Sequence, residues 1–151
     1  MQTRRKALQH TAAGASLLAG AGLFPQHALA FNKSAFEAKG LAEVVKALGS
    51  SAPLPSKDVA LTAPDIAENG AAVPLGASTT LAGIKHLLIV VEKNPSALVA
   101  IFNVTNSVDA NFVIRAKMGE SSEVYAVAIT NDGKALFAKK EVKVTIGGCG
   151  G

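Results

Sequence analysis

Residues 135–146 read ALFAKKEVKVTI, and the second half of this stretch alternates polar and apolar side chains without a break. The alternating residues are Glu141, Val142, Lys143, Val144, Thr145 and Ile146. A period of two is typical of a β-strand with one buried and one solvated face. Asp132-Gly133 lies just before the strand and favours a tight turn to the strand that precedes it. The sequence therefore predicts an antiparallel hairpin near its C-terminal end.

Upstream of this hairpin, short β-rich segments recur at the spacing of about 8 to 12 residues that is typical of sandwiches and barrels. The predicted strands are 59–63, 72–79, 85–92, 98–106, 110–117, 123–130 and 135–146. Residues 84–91 are nearly all apolar, which indicates a central strand covered on both faces. No connection is long enough for the helical crossovers of a parallel sheet. We therefore expect an all-β fold over residues 57–146, an antiparallel immunoglobulin-like β-sandwich of about seven strands.

One N-terminal α-helix is expected before the sandwich, in a segment of helix and linker at 31–56. Ser34-Ala35-Phe36-Glu37 has the form of a capping box, and Gly49 stands where a left-handed C-terminal cap is favoured. Between them runs an apolar stripe with helical spacing, made of Leu41, Val44, Val45 and Leu48. Such a stripe mostly covers the core of its own domain, and docking of a partner is the alternative.

Composition narrows the possible classes of protein. The 151 residues suit one domain, and a single Cys rules out a framework of internal disulfides. Three His and one Cys form no zinc-ligand cluster. The net charge of +4 resides mostly in the first 30 residues, because the rest of the chain has 12 basic against 11 acidic side chains. This near-neutral balance does not indicate a nucleic-acid partner.

The first 30 residues have the three-part form of an export signal. The parts are the basic stretch Thr3-Arg4-Arg5-Lys6, the small and apolar run 11–24, and the A-x-A pattern Ala28-Leu29-Ala30. The apolar run is shorter than the roughly 20 residues that span a bilayer. We therefore expect cleavage after Ala30, giving a mature chain without a membrane anchor.

The paired arginines resemble a twin-arginine signal, which exports proteins that are already folded. Ala7 and Gln9 depart from the usual motif, so a general secretory signal is the alternative. Both routes predict a periplasmic protein. Folded export is usually explained by a cofactor or by a partner that travels along, and the sequence has no dinucleotide-binding, haem-attachment or phosphate-loop motif. We therefore expect no cofactor and a co-exported partner.

The chain ends with a cysteine between glycines at 147–151, directly after the last predicted strand. These residues are Gly147, Gly148, Cys149, Gly150 and Gly151. Glycine explores both halves of backbone space and has no side chain to pack, which predicts a flexible arm. The Cα of Cys149 can lie at most about 10 Å from that of Ile146, since an extended residue spans about 3.3–3.6 Å. Such an arm could place a thiol in a narrow cleft of another protein; an intermolecular disulfide is the alternative.

The end VTIGGCGG (144–151) resembles that of the SoxY family, the sulfur-carrying subunits of the periplasmic sulfur-oxidising (Sox) system. The runs PDIAENG (64–70), Val73-Pro74 and Asn94-Pro95 are also similar to recurring runs of that family. The resemblance implies a non-enzymatic carrier that holds sulfur intermediates covalently on Cys149. It further implies a heterodimer with a SoxZ-like subunit and transient contacts with SoxAX, SoxB and SoxCD-like enzymes.

Other candidate residues receive simpler interpretations. An ordinary thiol has a pKa of about 8.5, and the glycines beside Cys149 offer no charge that would lower it, so activation is expected to occur in partner clefts. His86 is interpreted as a structural or surface histidine, because a metal site needs several converging donors. The basic side chains near the arm are interpreted as a solvated face, with attraction of anionic substrates or acidic partners as the alternative. They are Lys139, Lys140 and Lys143.

Overall fold

A computed structural model describes residues 32–146, and the predicted leader at 1–30 and arm at 147–151 lie outside these residues. The described chain begins with two short helices, α1 (Lys33–Glu37) and α2 (Leu41–Ala47). Nine strands follow within the same range: β1 (Leu54–Pro55), β2 (Val59–Thr62), β3 (Ile66–Asn69), β4 (Val73–Thr79), β5 (Ile84–Val91), β6 (Leu98–Asn103), β7 (Asn111–Ala116), β8 (Ser122–Thr130) and β9 (Ala135–Ile146).

The strands form two sheets. The larger has the order β1-β9-β8-β5-β6, with β3 also paired to β9, and the smaller has the order β2-β4-β7. Each of the seven predicted strands overlaps an observed strand, and the predicted all-β sandwich is confirmed. The predicted hairpin is present as well, since β8 and β9 pair antiparallel around a turn in which Gly133 has a φ of 81°.

Two strands were not anticipated, and both pair with β9 in the parallel direction. The expectation of antiparallel pairing throughout is therefore wrong at this edge. The chain leaves β1, crosses to the smaller sheet as β2, and returns to the edge of the larger sheet as β3. Each of the two strands is joined to its parallel neighbour β9 through the strands of the sandwich that lie between them in sequence, rather than through a helical crossover. β1 has two residues and β3 has four, and together they bury only one side chain. Such short strands show no alternation of polar and apolar residues that the sequence could reveal.

The central strand β5 is covered on both faces, as its apolar run predicted. Leu87, Ile89 and Val91 share the core between the sheets with Val73, Leu75 and Ala77 of β4. Leu88 and Val90 belong instead to a second cluster with the helices. Because successive side chains of a strand point to opposite faces, one run of apolar residues supplies both cores.

The predicted single helix is divided into two. Asn32, rather than Ser34, caps α1, because its Oδ1 accepts from the Ala35 N–H at 3.2 Å. Ser34 Oγ donates to the same Oδ1 at 2.8 Å, so its hydroxyl is engaged away from the predicted capping box. α1 ends at Glu37, since Ala38 is already extended with a ψ of 143°, and Gly40 is the N-cap of α2 with a φ of 96° and a ψ of 167°. This conformation is open almost only to glycine.

The apolar stripe of α2 packs against its own sheet. Leu41, Val44 and Val45 are buried. They share a cluster with side chains on the outer face of the larger sheet, which are Leu88, Val90, Leu98, Tyr125, Val127 and Ile129. This confirms that the stripe covers the protein's own core, so the helices form a third layer.

We expect Gly40→Ala to lower the free energy of unfolding by about 1–3 kcal/mol, the usual cost of a strained backbone conformation. A Cβ at this position would also lie 2.6 Å from Glu92 Oε1, whose carboxylate accepts from the Leu41 N–H at 3.1 Å. Urea unfolding would measure the loss. Gly49→Ala is the matched control, because Gly49 also has a positive φ, 72°, but no atom within 4 Å of the added Cβ. Equal losses in the two variants would contradict a role for the Glu92 contact.

Candidate functional site: the base of the cysteine segment

The residues predicted to form the site lie outside the described part of the chain. They are Gly147, Gly148, Cys149, Gly150 and Gly151. The last described residue is Ile146, where β9 ends, so the structure gives the base from which this segment starts. The predicted reach of Cys149 is therefore measured from the end of β9.

On one side, the end of β9 is held by β3 and the residues around it. Ala67 pairs with Val144, and Asn69 pairs with Ile146. Beyond the strand, the Gly70 N–H donates to the Ile146 carbonyl at 2.8 Å. These bonds continue to the last described residue, so β9 is still paired where the glycine segment begins.

Side chains add to this attachment on both sides of β9. Thr145 Oγ1 donates to the Glu68 carbonyl at 2.9 Å. On the opposite side, the Val144 N–H donates to Ser121 Oγ at 2.8 Å, just beyond the point where Ser122 of β8 pairs with Val142. The end of β9 is thus fixed between β3 and Ser121, and the segment that follows must start from a defined point.

In the sequence, the run 64–70 is distinctive only through its resemblance to a family. In the structure this run contains β3 and supplies the bonds that hold the end of β9. Ser121 was not singled out at all. A serine hydroxyl in a loop gives no sequence signal for a bond to a backbone N–H 23 residues away.

Two of the three lysines near this end of the chain are ion-paired. Lys139 Nζ lies 2.6 Å from Glu123 Oε1, and Lys140 Nζ lies 2.9 Å from Asp65 Oδ1. Within residues 32–146, Lys143 is exposed and forms no ion pair. Lys143 also lies closest to Ile146 in sequence, roughly 10 Å along the strand at about 3.3 Å per residue. Of the three lysines, Lys143 is therefore the one without an ion pair within the described residues and the one nearest to the cysteine segment.

The Lys139 ammonium and the Tyr125 hydroxyl together lower the pKa of the Glu123 carboxyl, with Lys139 as the larger cause. Tyr125 donates to Glu123 Oε2 at 2.6 Å. Burial and the same carboxylate raise the pKa of Tyr125. The Glu123 carboxylate is therefore ionised at neutral pH, and its two oxygens are engaged by Lys139 and Tyr125.

His86 lies in β5, within the sheet and away from the end of β9. Its Nδ1 is buried without a hydrogen-bond partner. Burial lowers the pKa of His86 below its ordinary 6.5; an interaction with Asn103 opposes this, and nearby Lys85 adds to it. Among the described residues, no group of three His, Cys, Asp or Glu could hold a metal ion.

We expect His86 to make the fold less stable as the pH falls below about 6.5, because the unfolded chain then binds a proton that the folded chain disfavours. The effect is absent at higher pH, where His86 is neutral in both states. Urea unfolding at pH 7.5 and 5.5 would measure it in the chain from Phe31 onward, where His86 is the only histidine. His86→Gln should show a smaller loss over this range. An identical loss of stability between pH 7.5 and 5.5 in His86→Gln would contradict the assignment of this pH dependence to His86.

The helices of residues 32–146 are too short and too polar to cross a membrane.

The described residues thus define a two-sheet sandwich whose last strand is fixed at its end and leads into the chain's only cysteine. The family model described as "Sulfur oxidation protein SoxY" matches residues 44–149, a match that extends to that cysteine. The solved structure of the sulfur carrier protein SoxY from Chlorobium limicola f thiosulfatophilum is 33% identical, with 68% of this chain and 93% of that chain covered and a TM-score of 0.61. The chain belongs to the SoxY family.

Two other solved structures resemble it less. A superoxide reductase (neelaredoxin) variant from Ignicoccus hospitalis is 18% identical over 57% of this chain and 78% of that chain, with a TM-score of 0.47. Fibronectin(III)-like modules of Clostridium thermocellum CbhA are 15% identical over 57% of this chain and 93% of that chain, with a TM-score of 0.45. A search of the curated proteins found no similar sequence.

Proposed function

We propose that this chain carries intermediates of sulfur oxidation as covalent adducts on Cys149 and presents them to partner enzymes. The family match that extends to Cys149 carries this proposal. The attachment of Ile146 supports it, because a tether is useful only if its start is fixed. The related SoxY from Chlorobium is itself described as a sulfur carrier protein.

The loading step is an oxidative coupling of the Cys149 thiol with thiosulfate. The S–H bond of Cys149 breaks and an S–S bond forms to the outer sulfur of thiosulfate. One proton is released, and two electrons pass to a haem protein of the SoxAX type. The product is a cysteine S-thiosulfonate that remains attached to the chain.

Hydrolysis by an enzyme of the SoxB type would follow. A water oxygen bonds to the sulfonate sulfur, the bond from that sulfur to the sulfane sulfur breaks, and sulfate leaves. One water proton goes to the sulfane sulfur and the other to solvent, so that a persulfide remains on Cys149. A SoxCD-like enzyme would act next on this sulfane sulfur.

The chain itself supplies position rather than catalysis. At neutral pH an unperturbed thiol is only a few per cent thiolate, and no charged side chain adjoins Cys149 in sequence. Tethering raises the effective concentration of the substrate in each partner cleft without any new contact. We place this work in the periplasm, after export by the leader at 1–30, and in a complex with a SoxZ-like subunit.

Intact-mass analysis tests the proposal against a structural disulfide. The mature chain is incubated with thiosulfate and cognate periplasmic extract, and its mass is measured before and after reduction. A carrier gains a sulfur adduct that a thiol reductant removes. A chain that uses Cys149 as a staple forms only a disulfide-linked dimer, and that outcome would reject the carrier.

A further inference from the structure

Within the described residues, the larger sheet ends at β1 and β3 on one side and at β6 on the other. There β6 pairs with β5 on one side only. The Val104 N–H, just after β6, donates to the Lys85 carbonyl at 3.1 Å. In an antiparallel pair such bonds involve every second residue. The backbone groups of Phe102 therefore face β5, while those of Ile101 and Asn103 point away from the sheet.

This edge lacks the protection that open edges usually have. Natural edge strands are covered, or carry charges or proline, because their free backbone groups otherwise recruit another strand. Residues 97–106 read ALVAIFNVTN and contain neither a charge nor a proline. By contrast, β7 at the edge of the smaller sheet is followed by Lys117 and contains Arg115. At the opposite edge of the larger sheet, β1 has only two residues and contains Pro55, and β3 has four residues and contains Glu68.

Two features limit the open edge to the later part of β6. α1 reaches its beginning, where Ser96 Oγ donates to the Phe36 carbonyl at 2.6 Å and the Ala97 N–H donates to the Ala38 carbonyl at 3.4 Å. The pairing with β5 is also irregular near Val99, the extra residue between the partners of Ile89 and Val90. Beyond these points the strand is regular, so Ile101 and Asn103 present their backbone groups without cover from the described residues.

Half-buried apolar side chains flank the same edge. The rings of Phe102 on β6 and Phe112 on β7 stack with centroids 4.2 Å apart and an interplanar angle of 3°. Val99, Ala100, Val104 and Ile114 belong to the same partly buried apolar group, while Ile101 lies on the opposite face of β6 in the cluster with the helices. An incoming strand would cover this group while its backbone bonds to β6.

We propose that the open edge of β6 is the docking site for an uncharged, apolar edge strand of the SoxZ-like subunit. This rests on the proposed function, which requires a stable partner that leaves the cysteine segment accessible. β6 is three strand positions from β9, about 14 Å at the spacing of about 4.8 Å per strand. A subunit added there extends the sheet away from Ile146, whereas one added beside β3 would lie against the strand that holds that end.

Hydrogen exchange of the wild-type mature chain tests this site. Exchange is compared between the chain alone and the chain coexpressed with the cognate SoxZ subunit. The amides of Ile101 and Asn103 should exchange at least about tenfold more slowly in the complex, the effect of one new backbone hydrogen bond of about 1.4 kcal/mol. Residues 59–62 of β2, at the far edge of the smaller sheet, are the control and should change little. A complex that leaves the β6 amides unchanged would overturn the proposal, as would the same protection from a second copy of this chain.

A pair of variants at Asn103 distinguishes the contribution of its backbone N–H to binding from that of its side chain. Asn103→Pro removes the N–H that points away from the sheet, a position where proline is tolerated in edge strands. It should weaken binding of the SoxZ subunit at least about tenfold. Asn103→Ala loses the same side chain but keeps the N–H, and should bind as the wild type does. Equal affinities of the two variants would contradict strand addition.

Sulfur loading is read from the same samples. If Cys149 gains sulfur but the complex with the SoxZ subunit forms at another surface, only the proposed β6 site would be overturned. A complex at β6 without any adduct on Cys149 would overturn the proposed carrier function and leave the docking surface standing.

Discussion

Cys149→Ser is expected to reduce thiosulfate-dependent electron release by reconstituted Sox proteins at least about 100-fold, to the rate seen without this chain. A serine hydroxyl cannot form the S–S bond by which thiosulfate is attached, and the chain has no other cysteine to replace it. The measurement is the reduction of an electron acceptor after thiosulfate is added to the purified partners with wild-type or variant chain.

A displaced thiol provides the control for this loss. Val113 is 72% exposed on β7, so Val113→Cys in the Cys149→Ser background restores a free thiol on the surface without the glycine segment. We expect no recovery of electron release, because that thiol has no tether with which to enter a partner cleft. Substantial activity of Cys149→Ser alone would contradict covalent carriage.

Leu88→Ala is expected to lower the free energy of unfolding by about 2–5 kcal/mol. Leu88 is fully buried in β5 and packs in the cluster between the larger sheet and the helices. Truncation removes apolar contacts and leaves a cavity that the neighbouring strands β6 and β8 cannot close. Urea unfolding of the chain from Phe31 onward at pH 7.5 would measure the change.

An exposed apolar residue gives the matched comparison. Val113→Ala removes buried contacts from neither cluster and should change stability by no more than about 0.5 kcal/mol. A decrease in the free energy of unfolding below about 1 kcal/mol in Leu88→Ala would contradict the burial of this face of β5 beneath the helices.

Much of the sandwich could be predicted because its strands carry their own patterns. β9 alternates polar and apolar residues, and β5 is apolar throughout since it meets a core on each face. β1 and β3 could not be predicted, because their pairing depends on β9 rather than on an internal pattern. The helix boundary failed for a different reason. Asn32 competes with Ser34 as a cap, and only the backbone angles reveal that the first helix ends at Glu37 and that a second begins after Gly40.

The candidate site likewise has one part that the sequence predicts and one part that it does not. Cys149 stands out in the sequence because it is the single cysteine and lies among glycines. The attachment of the end of β9 could not be predicted from the sequence, since Thr145 donates a hydrogen bond to Glu68, 77 residues earlier in the chain. The sequence does not distinguish the three lysines. Within the described residues, Lys139 and Lys140 form ion pairs and Lys143 does not. Such contacts depend on which strands become neighbours.

The most direct test of covalent carriage is the mass of the C-terminal peptide after the mature chain has reacted with thiosulfate and its partners. We expect the peptide that contains Cys149 to gain the mass of a thiosulfonate or persulfide, and a thiol reductant to remove it. A peptide that keeps its original mass while thiosulfate is oxidised at the full rate would contradict the carrier.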